Sequence, residues 1–283
     1  MTQHWRDLLG PYGAWRPVSM AKPELARKLE ELGFGALWLG GSPRADLRIV
    51  DSLLAATDEL VIATGIVNMW QSDAREVATS FHRIEAAHPG RFLLGVGIGH
   101  REAIADYAKP YEVSVAYLDT LIDAGVPPSS LVLAALGPKM LRLSGERTAG
   151  AHPYLVTEQY VSQAREILGA GPLLAVEHKA VIDSDPQAAR AIGRSRVRRP
   201  YLDLSNYTAN LRRLGWTDKD LADGGSDALI DALVAHGDAA QVAGQLTKFV
   251  EAGADHVCVQ LLHATIDEDP VPGYRALAAA LQL

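Results

Sequence analysis

The residues most able to do chemistry cluster where short apolar runs end. Gly95-Val96-Gly97-Ile98-Gly99-His100-Arg101-Glu102 sets three glycines at alternate positions, then an imidazole with a carboxylate two residues on. Glycine weakens a strand unless another group needs the space. The spacing is G-x-G-x-G, not the dinucleotide-binding G-x-G-x-x-G. Imidazole titrates near neutral pH, so His100 can pass a proton. Gly150-Ala151-His152-Pro153-Tyr154 places a second histidine in the same kind of position. Leu136-Gly137-Pro138-Lys139-Met140 puts proline just inside a helix start, where free N–H groups face outward. Such an end binds phosphate, and Lys139 adds a positive charge; simple capping explains the same residues.

Three further segments have the same character. Gly40-Gly41-Ser42 lets backbone approach a ligand or makes a tight turn. Thr64-Gly65-Ile66-Val67-Asn68-Met69-Trp70 ends in an amide and an indole, which serve a ligand or only cap and pack. Trp15, like Trp70, is a candidate wall of a substrate pocket or a core residue. No metal site is expected: there is no H-E-x-x-H and no cysteine pair. No G-x-S-x-G elbow occurs. The run Arg194, Arg196, Arg198, Arg199 reads as a solvated helix face, or as a site for a polyanionic tail. Asn206-Tyr207-Thr208 matches a glycosylation sequon, which has no meaning without export.

These segments need a scaffold, and the pattern supplies one. Apolar runs begin near Pro11–Trp15, Ala36–Leu39, Leu60–Val67, Arg91–Gly97, Leu131–Ala135, Thr148–His152, Pro172–Ile182 and Asp255–Leu262. Helical stretches lie between them: Pro23–Leu32, Asp46–Thr57, Asp73–His88, part of Tyr107–Ala124, Pro138–Gly145 and Thr157–Leu168. In the first, Leu25, Leu29 and Leu32 share one face, and Gly33 ends it. Pro186–Gly253 reads as extra helix between strands seven and eight, broken at Pro200, Gly215 and Gly224-Gly225. Pro272–Leu281 closes the chain. Strands apolar at consecutive positions, such as Val61-Ile62-Ala63, are covered on both faces. Eight alternating units in 283 residues predict an α/β fold, a single (β/α)₈ barrel domain over residues 1–283. Its active site belongs at the C-terminal ends of the strands.

Composition bounds the rest. The chain is 48% hydrophobic and 22% charged, with net charge −7. That argues against a nucleic-acid partner, which usually meets a basic face. No stretch approaches the ~18 apolar residues of a membrane span, and Met1–Asp7 lacks an apolar signal core. The single cysteine, Cys258, lies in Val257-Cys258-Val259 and reads as a small core residue. One thiol forms no internal disulfide, so a cytoplasmic home is expected.

Together these segments resemble the luciferase-like monooxygenase superfamily, and within it the coenzyme F420-dependent oxidoreductases. The resemblance is carried by Glu31–Trp38, Thr64–Asn68, Pro89–Gly97, Ala134–Met140 leading to Thr148-Ala149-Gly150, and Ala252–Val257. It implies a barrel that is usually dimeric and binds F420 or FMN at its C-terminal rim. By position, Gly65-Ile66 matches a non-proline cis peptide that pushes against the deazaflavin ring. Leu136–Met140 matches the cradle for the cofactor phosphate. His100 falls where some F420 enzymes carry a glutamate acid. Two departures stand out: Gly40-Gly41-Ser42 replaces a loop that often bears Asp or His, and Ala149-Gly150 replaces Asp-Gly. The resemblance implies hydride transfer between F420 and a small organic substrate. FMN-dependent monooxygenation with a flavin reductase is one alternative, and a non-catalytic flavin-binding barrel is another. His100 and His152 are the expected proton carriers. Gly40, Gly41, Ser42, Thr64, Gly65, Ile66, Asn68, Gly97, Gly99 and Leu136–Met140 are the expected cofactor contacts.

Overall fold

The computed structural model describes residues 2–99, 109–265 and 267–283. In chain order the strands are β1 (Tyr12–Pro17), β2 (Ala36–Gly40), β3 (Val61–Thr64), β4 (Val67–Asn68), β5 (Phe92–Gly97), β6 (Leu131–Leu133), β7 (Gly150–Ala151), β8 (Leu173–Ile182), β9 (Val234–Gly237) and β10 (His256–Leu261). Helices connect them: α1 (Thr2–Leu9), α2 (Pro23–Glu31), α3 (Arg48–Leu54), α4 (Ala74–Ala87), α5 (Pro110–Asp123), α6 (Pro138–Arg147), α7 (Glu158–Leu168), α8 (Pro186–Arg198), α9 (Ser205–Arg213), α10 (Asp218–Leu221), α11 (Asp227–Leu233), α12 (Ala239–Glu251) and α13 (Val271–Leu281). Every pairing is parallel, and β10 joins both β1 and β8, so the sheet closes on itself. The result is the expected eight-stave barrel.

Three details depart from the sequence pattern. The third stave is two short strands, β3 and β4, separated at Gly65-Ile66, whose peptide bond is cis. The stretch read as broken helix between staves seven and eight also contains a strand, β9, which pairs with the last four residues of β8. Its own four residues sit between two helices and are too few to show a period of two. A helix, α1, precedes the first strand; its eight residues carry no cap signal that marks it out.

Alternation along the strands sorts the side chains. Leu37, Ile62, Leu94, Val176 and Val259 face the helices, in one large apolar cluster. Ala36, Trp38, Val61, Ala63, Leu93, Val132, Ala175 and Cys258 form a second cluster inside the barrel, with Trp15 above them and Trp5 and Leu9 of α1 below. This is the period-two division of a closed barrel. Helix α1 is the floor. Trp5 donates to the Ser129 carbonyl at 2.6 Å, and Arg6 binds Asp255 at 2.8 Å and the Ala170 carbonyl at 2.8 Å. Arg165 reaches the same carboxylate at 2.6 Å. Leu9 packs so close to Gly35 that a Cβ there would lie 2.1 Å from the Leu9 oxygen.

Three histidines are almost wholly enclosed. His256 donates from Nδ1 to the Gly10 carbonyl at 2.8 Å and accepts from Trp38 Nε1 at 3.0 Å. His152 stacks on Trp38 with centroids 4.2 Å apart. His178 lies outside β8 against Phe249, centroids 4.1 Å apart. Burial lowers each imidazole, His152 and His256 to about 4 and His178 to about 3. The unfolded chain binds these protons near the ordinary value of 6.5. Between pH 6.5 and 4 the unfolded state therefore holds more protons, so stability falls as pH falls. A tenfold change in proton affinity is worth about 1.4 kcal/mol, so three such groups together weigh heavily. Melting curves are expected to show Tm level above pH 7 and dropping steeply from 6.5 toward 4. His178→Gln, which removes one of the three protons, is expected to flatten that slope; an unchanged slope would count against the assignment.

Candidate functional site

The strands end at one mouth, and a cavity of about 680 Å³ opens there. Trp15 from β1, Gly65-Ile66 between β3 and β4, Asn68 from β4 and Leu136-Gly137 before α6 all line it. Its polar edge is made of neutral groups. Among the described residues, no Asp, Glu, Lys or Arg lines it.

Two nitrogens on its wall lack partners. Trp15 Nε1 and His152 Nε2 are both buried and unbonded among the described residues. They converge over Gly65: a Cβ built there would meet His152 Nε2 at 2.6 Å and Trp15 Nε1 at 3.2 Å. The His152 tautomer follows from chemistry. Nδ1 lies 2.9 Å from the Ala175 carbonyl oxygen, which can only accept. The proton is therefore on Nδ1, and Nε2 presents a lone pair. Burial keeps the ring neutral at pH 7. The site thus offers a donor from Trp15 and an acceptor from His152. Buried and unsatisfied, each such group costs about 1–3 kcal/mol, which a ligand can recover.

The N-terminus of α6 forms the opposite edge. Gly137 is its N-cap, with no side-chain cap, and Pro138 follows at N1. The N–H groups of Lys139 and Met140 precede the first intrahelical bond, from Leu141 to the Gly137 carbonyl at 3.0 Å. Nothing lies within 4 Å of where a Gly137 Cβ would sit. Arg213 of α9 donates to the Leu136 carbonyl at 3.3 Å, adding a guanidinium beside this helix end.

Not every expected residue faces the cavity. Gly41, Ser42, Gly65, Ile66, Asn68, Gly99, Leu136, Gly137, Met140, His152 and Trp15 line it. Gly40 does not, because the Trp15 indole occupies the space a Cβ would need, 1.7 Å from Cζ2. Thr64 ties β3 to β5, its hydroxyl donating to the Gly95 carbonyl at 2.7 Å and accepting from the Gly95 amide at 2.8 Å. Gly97 makes room for Ile66 and Ala134. Pro138 starts the helix from outside the wall. Lys139 turns away and sits 3.7 Å over the Tyr111 ring. Trp70 is off the wall, its backbone N–H held by Asn68 Oδ1 at 2.9 Å. His100 and Glu102 lie outside the described residues.

The structure also brings in residues that the sequence pattern hides. Tyr154, Tyr201, Asn206, Tyr207 and Gln260 complete the wall. Tyr201, Asn206 and Tyr207 come from the helical excursion between β8 and β10, far from any strand end. Tyr154 follows β7 and Gln260 lies near the end of β10, 106 residues further along the chain. Only the curvature of the barrel makes them neighbours. The arginine run divides: Arg194 pairs with Asp227 and binds the Gly225 carbonyl at 3.1 Å, away from this mouth.

Residues 19–124 match the family described as luciferase-like monooxygenase. No sequence match to a curated protein was found. Among solved structures, an F420-dependent secondary alcohol dehydrogenase in complex with an F420-acetone adduct superposes with a TM-score of 0.73. Identity is 15% over 96% of this chain and 98% of that one. The coenzyme F420-dependent tetrahydromethanopterin reductase of Methanopyrus kandleri gives 0.69 at 15% identity, again over 96% and 98%. The oxygenating constituent of 3,6-diketocamphane monooxygenase from Pseudomonas putida, in complex with FMN, gives 0.64 at 14% identity over 95% and 96%.

Gly40→Ala would force the Trp15 indole off β2. It is expected to lower stability by about 1–3 kcal/mol, read as a shifted urea midpoint with unchanged slope. An unchanged midpoint would mean that the indole moves freely. Residues 19–124 are thus similar in sequence to the luciferase-like monooxygenase family, and over nearly its whole length the chain shares the barrel fold of these structures.

Proposed function

We propose that the protein is an oxidoreductase that binds coenzyme F420 across the barrel mouth and exchanges a hydride with a small organic substrate. The observation that carries this reading is the cavity that runs from the Gly65-Ile66 break to the open N-terminus of α6. Such a mouth has the size and largely apolar wall of a cofactor site. The residues present fit the group. Free amides at Lys139 and Met140, with Arg213 beside them, would hold its phosphate through hydrogen bonds and the helix dipole. Ile66, Ile98, Leu136 and Met140 would pack on its ring. The resemblance of the Thr64–Asn68 and Leu136–Met140 segments supports F420, as does the likeness to two F420-dependent enzymes.

When bound, the deazaflavin would give or take a hydride. The protein's own part is to orient the partners and handle the proton. His152 holds its Nδ1 proton on the Ala175 carbonyl, so Nε2 is free to take a proton from a substrate hydroxyl and return it. Trp15 Nε1 donates to the same oxygen. FMN is the competing occupant, supported by the likeness to a monooxygenase holding it. A homodimer acting on a small molecule is part of the proposal.

Titration of the purified protein with oxidised F420, followed by its fluorescence, is expected to saturate in the micromolar range. A flat F420 curve beside saturable FMN binding would replace the reading with the flavin one; two flat curves would end both. Gly137→Asp places a carboxylate where the phosphate would sit, in open space and at a position that favours Asp as an N-cap. It is expected to weaken cofactor binding at least tenfold without lowering Tm.

A further inference from the structure

Beneath the cavity lies an ion pair that the proposed chemistry does not use. Lys179 Nζ is 3.0 Å from Glu177 Oε1, and both side chains are essentially inaccessible to solvent. The ammonium also sits 3.9 Å from the Tyr154 ring centroid and 4.9 Å from that of Tyr201. Burial raises the Glu177 carboxyl and lowers the Lys179 ammonium, and each offsets the other. The Leu155 amide donates to Glu177 Oε2 at 3.2 Å. The lysine charge is therefore consumed below the surface, and what faces the cavity is aromatic.

These rings set a chain of hydrogen bonds with one direction. Tyr201 donates to the Tyr154 hydroxyl at 2.8 Å, and Tyr154 donates to Gln260 Oε1 at 2.9 Å. Burial raises both phenols, so they stay protonated. With its oxygen taken, the Gln260 amide has its NH₂ as the open end, without a partner among the described residues and on the cavity wall.

We propose that Gln260 is a specificity-determining residue whose NH₂ binds a carbonyl oxygen of an uncharged substrate, and that Tyr154 is the positioning residue that aims it. The inference deepens the oxidoreductase reading by naming the substrate class. The amide end is a donor, so the ligand must accept. A carboxylate also accepts, but no cation among the described residues lines the cavity to meet its charge, and burying that charge unpaired costs several kcal/mol. A ketone, aldehyde, ester or amide meets no such cost. The aromatic wall of Trp15, Tyr154, Tyr201 and Tyr207 suits a flat or alicyclic body.

Cyclohexanone, cyclohexanecarboxylate, cyclohexanol and cyclohexylammonium are probes of similar shape. Their affinities for the full chain can be measured by saturation-transfer NMR, with F420 fluorescence followed in the same samples. Cyclohexanone is expected to bind saturably and the carboxylate not to bind. Gln260→Leu should weaken cyclohexanone about fivefold, the loss of one hydrogen bond. Gln260→Glu, nearly the same shape, should lose cyclohexanone and gain cyclohexylammonium. Tyr154→Phe leaves Gln260 in place but free to turn, so cyclohexanol should gain on cyclohexanone, a change that loosened packing alone would not give. Absence of saturable cyclohexanone binding, equal binding of the carboxylate, or unchanged affinity in Gln260→Leu would overturn the proposal. A flat F420 titration with the carbonyl preference intact would sink the cofactor reading instead.

Discussion

The interior of an eight-stave barrel holds only a few side chains per layer, and here three large rings share it. Trp38 and His152 stack at mid-height, and Trp15 lies above them. There is room because the positions that face these rings on other staves are glycine. Gly40 yields to the Trp15 indole and Gly65 to the His152 imidazole. The mouth of the cavity is thus a packing solution before it is a binding site. The rings fill the barrel to a set height, and the space left above them is what a ligand can use.

Beside these rings and below the cavity lies the only ion pair inside the barrel among the described residues, Lys179 with Glu177. Two charges removed from water are stable only with good geometry and further partners. They receive a backbone amide and two aromatic faces. Tyr201 arrives from the excursion after β8, so that excursion is needed to cover the pair as well as to wall the cavity. Strand β9 anchors its far end to β8, at residues 179–182. The insertion is therefore integrated into the barrel rather than laid on it.

The barrel is legible in the sequence because parallel strands covered on both faces leave apolar runs, and because glycine and proline punctuate them. The rim segments after staves two, three and five are legible for the same reason: a strand end is a place in sequence as well as in space. Residue orientation is not. Lys139 and Trp70 have the right types at the right ends, yet neither is on the cavity wall: Lys139 lies over the Tyr111 ring, and the Trp70 backbone is held by Asn68. Tyr154, Tyr201 and Gln260 form one hydrogen-bonded chain from three distant segments, and no period or motif connects positions that only the folded barrel brings together. β9 escapes the pattern since four residues between helices carry no alternation.

The floor of the barrel has a consequence for how the chain is made. Helix α1 is synthesised before every strand, yet its anchors are Ser129, Ala170 and Asp255. Arg6 and Asp255 are 249 residues apart. The helix must therefore wait, its Trp5 and Leu9 without their final neighbours, until the last stave has been synthesised. Contacts of such long range are slow to form and leave apolar surface exposed meanwhile. Seating of the floor and closure by β10 are then a single late event, and the nascent chain is most in need of chaperoning just before β10 emerges.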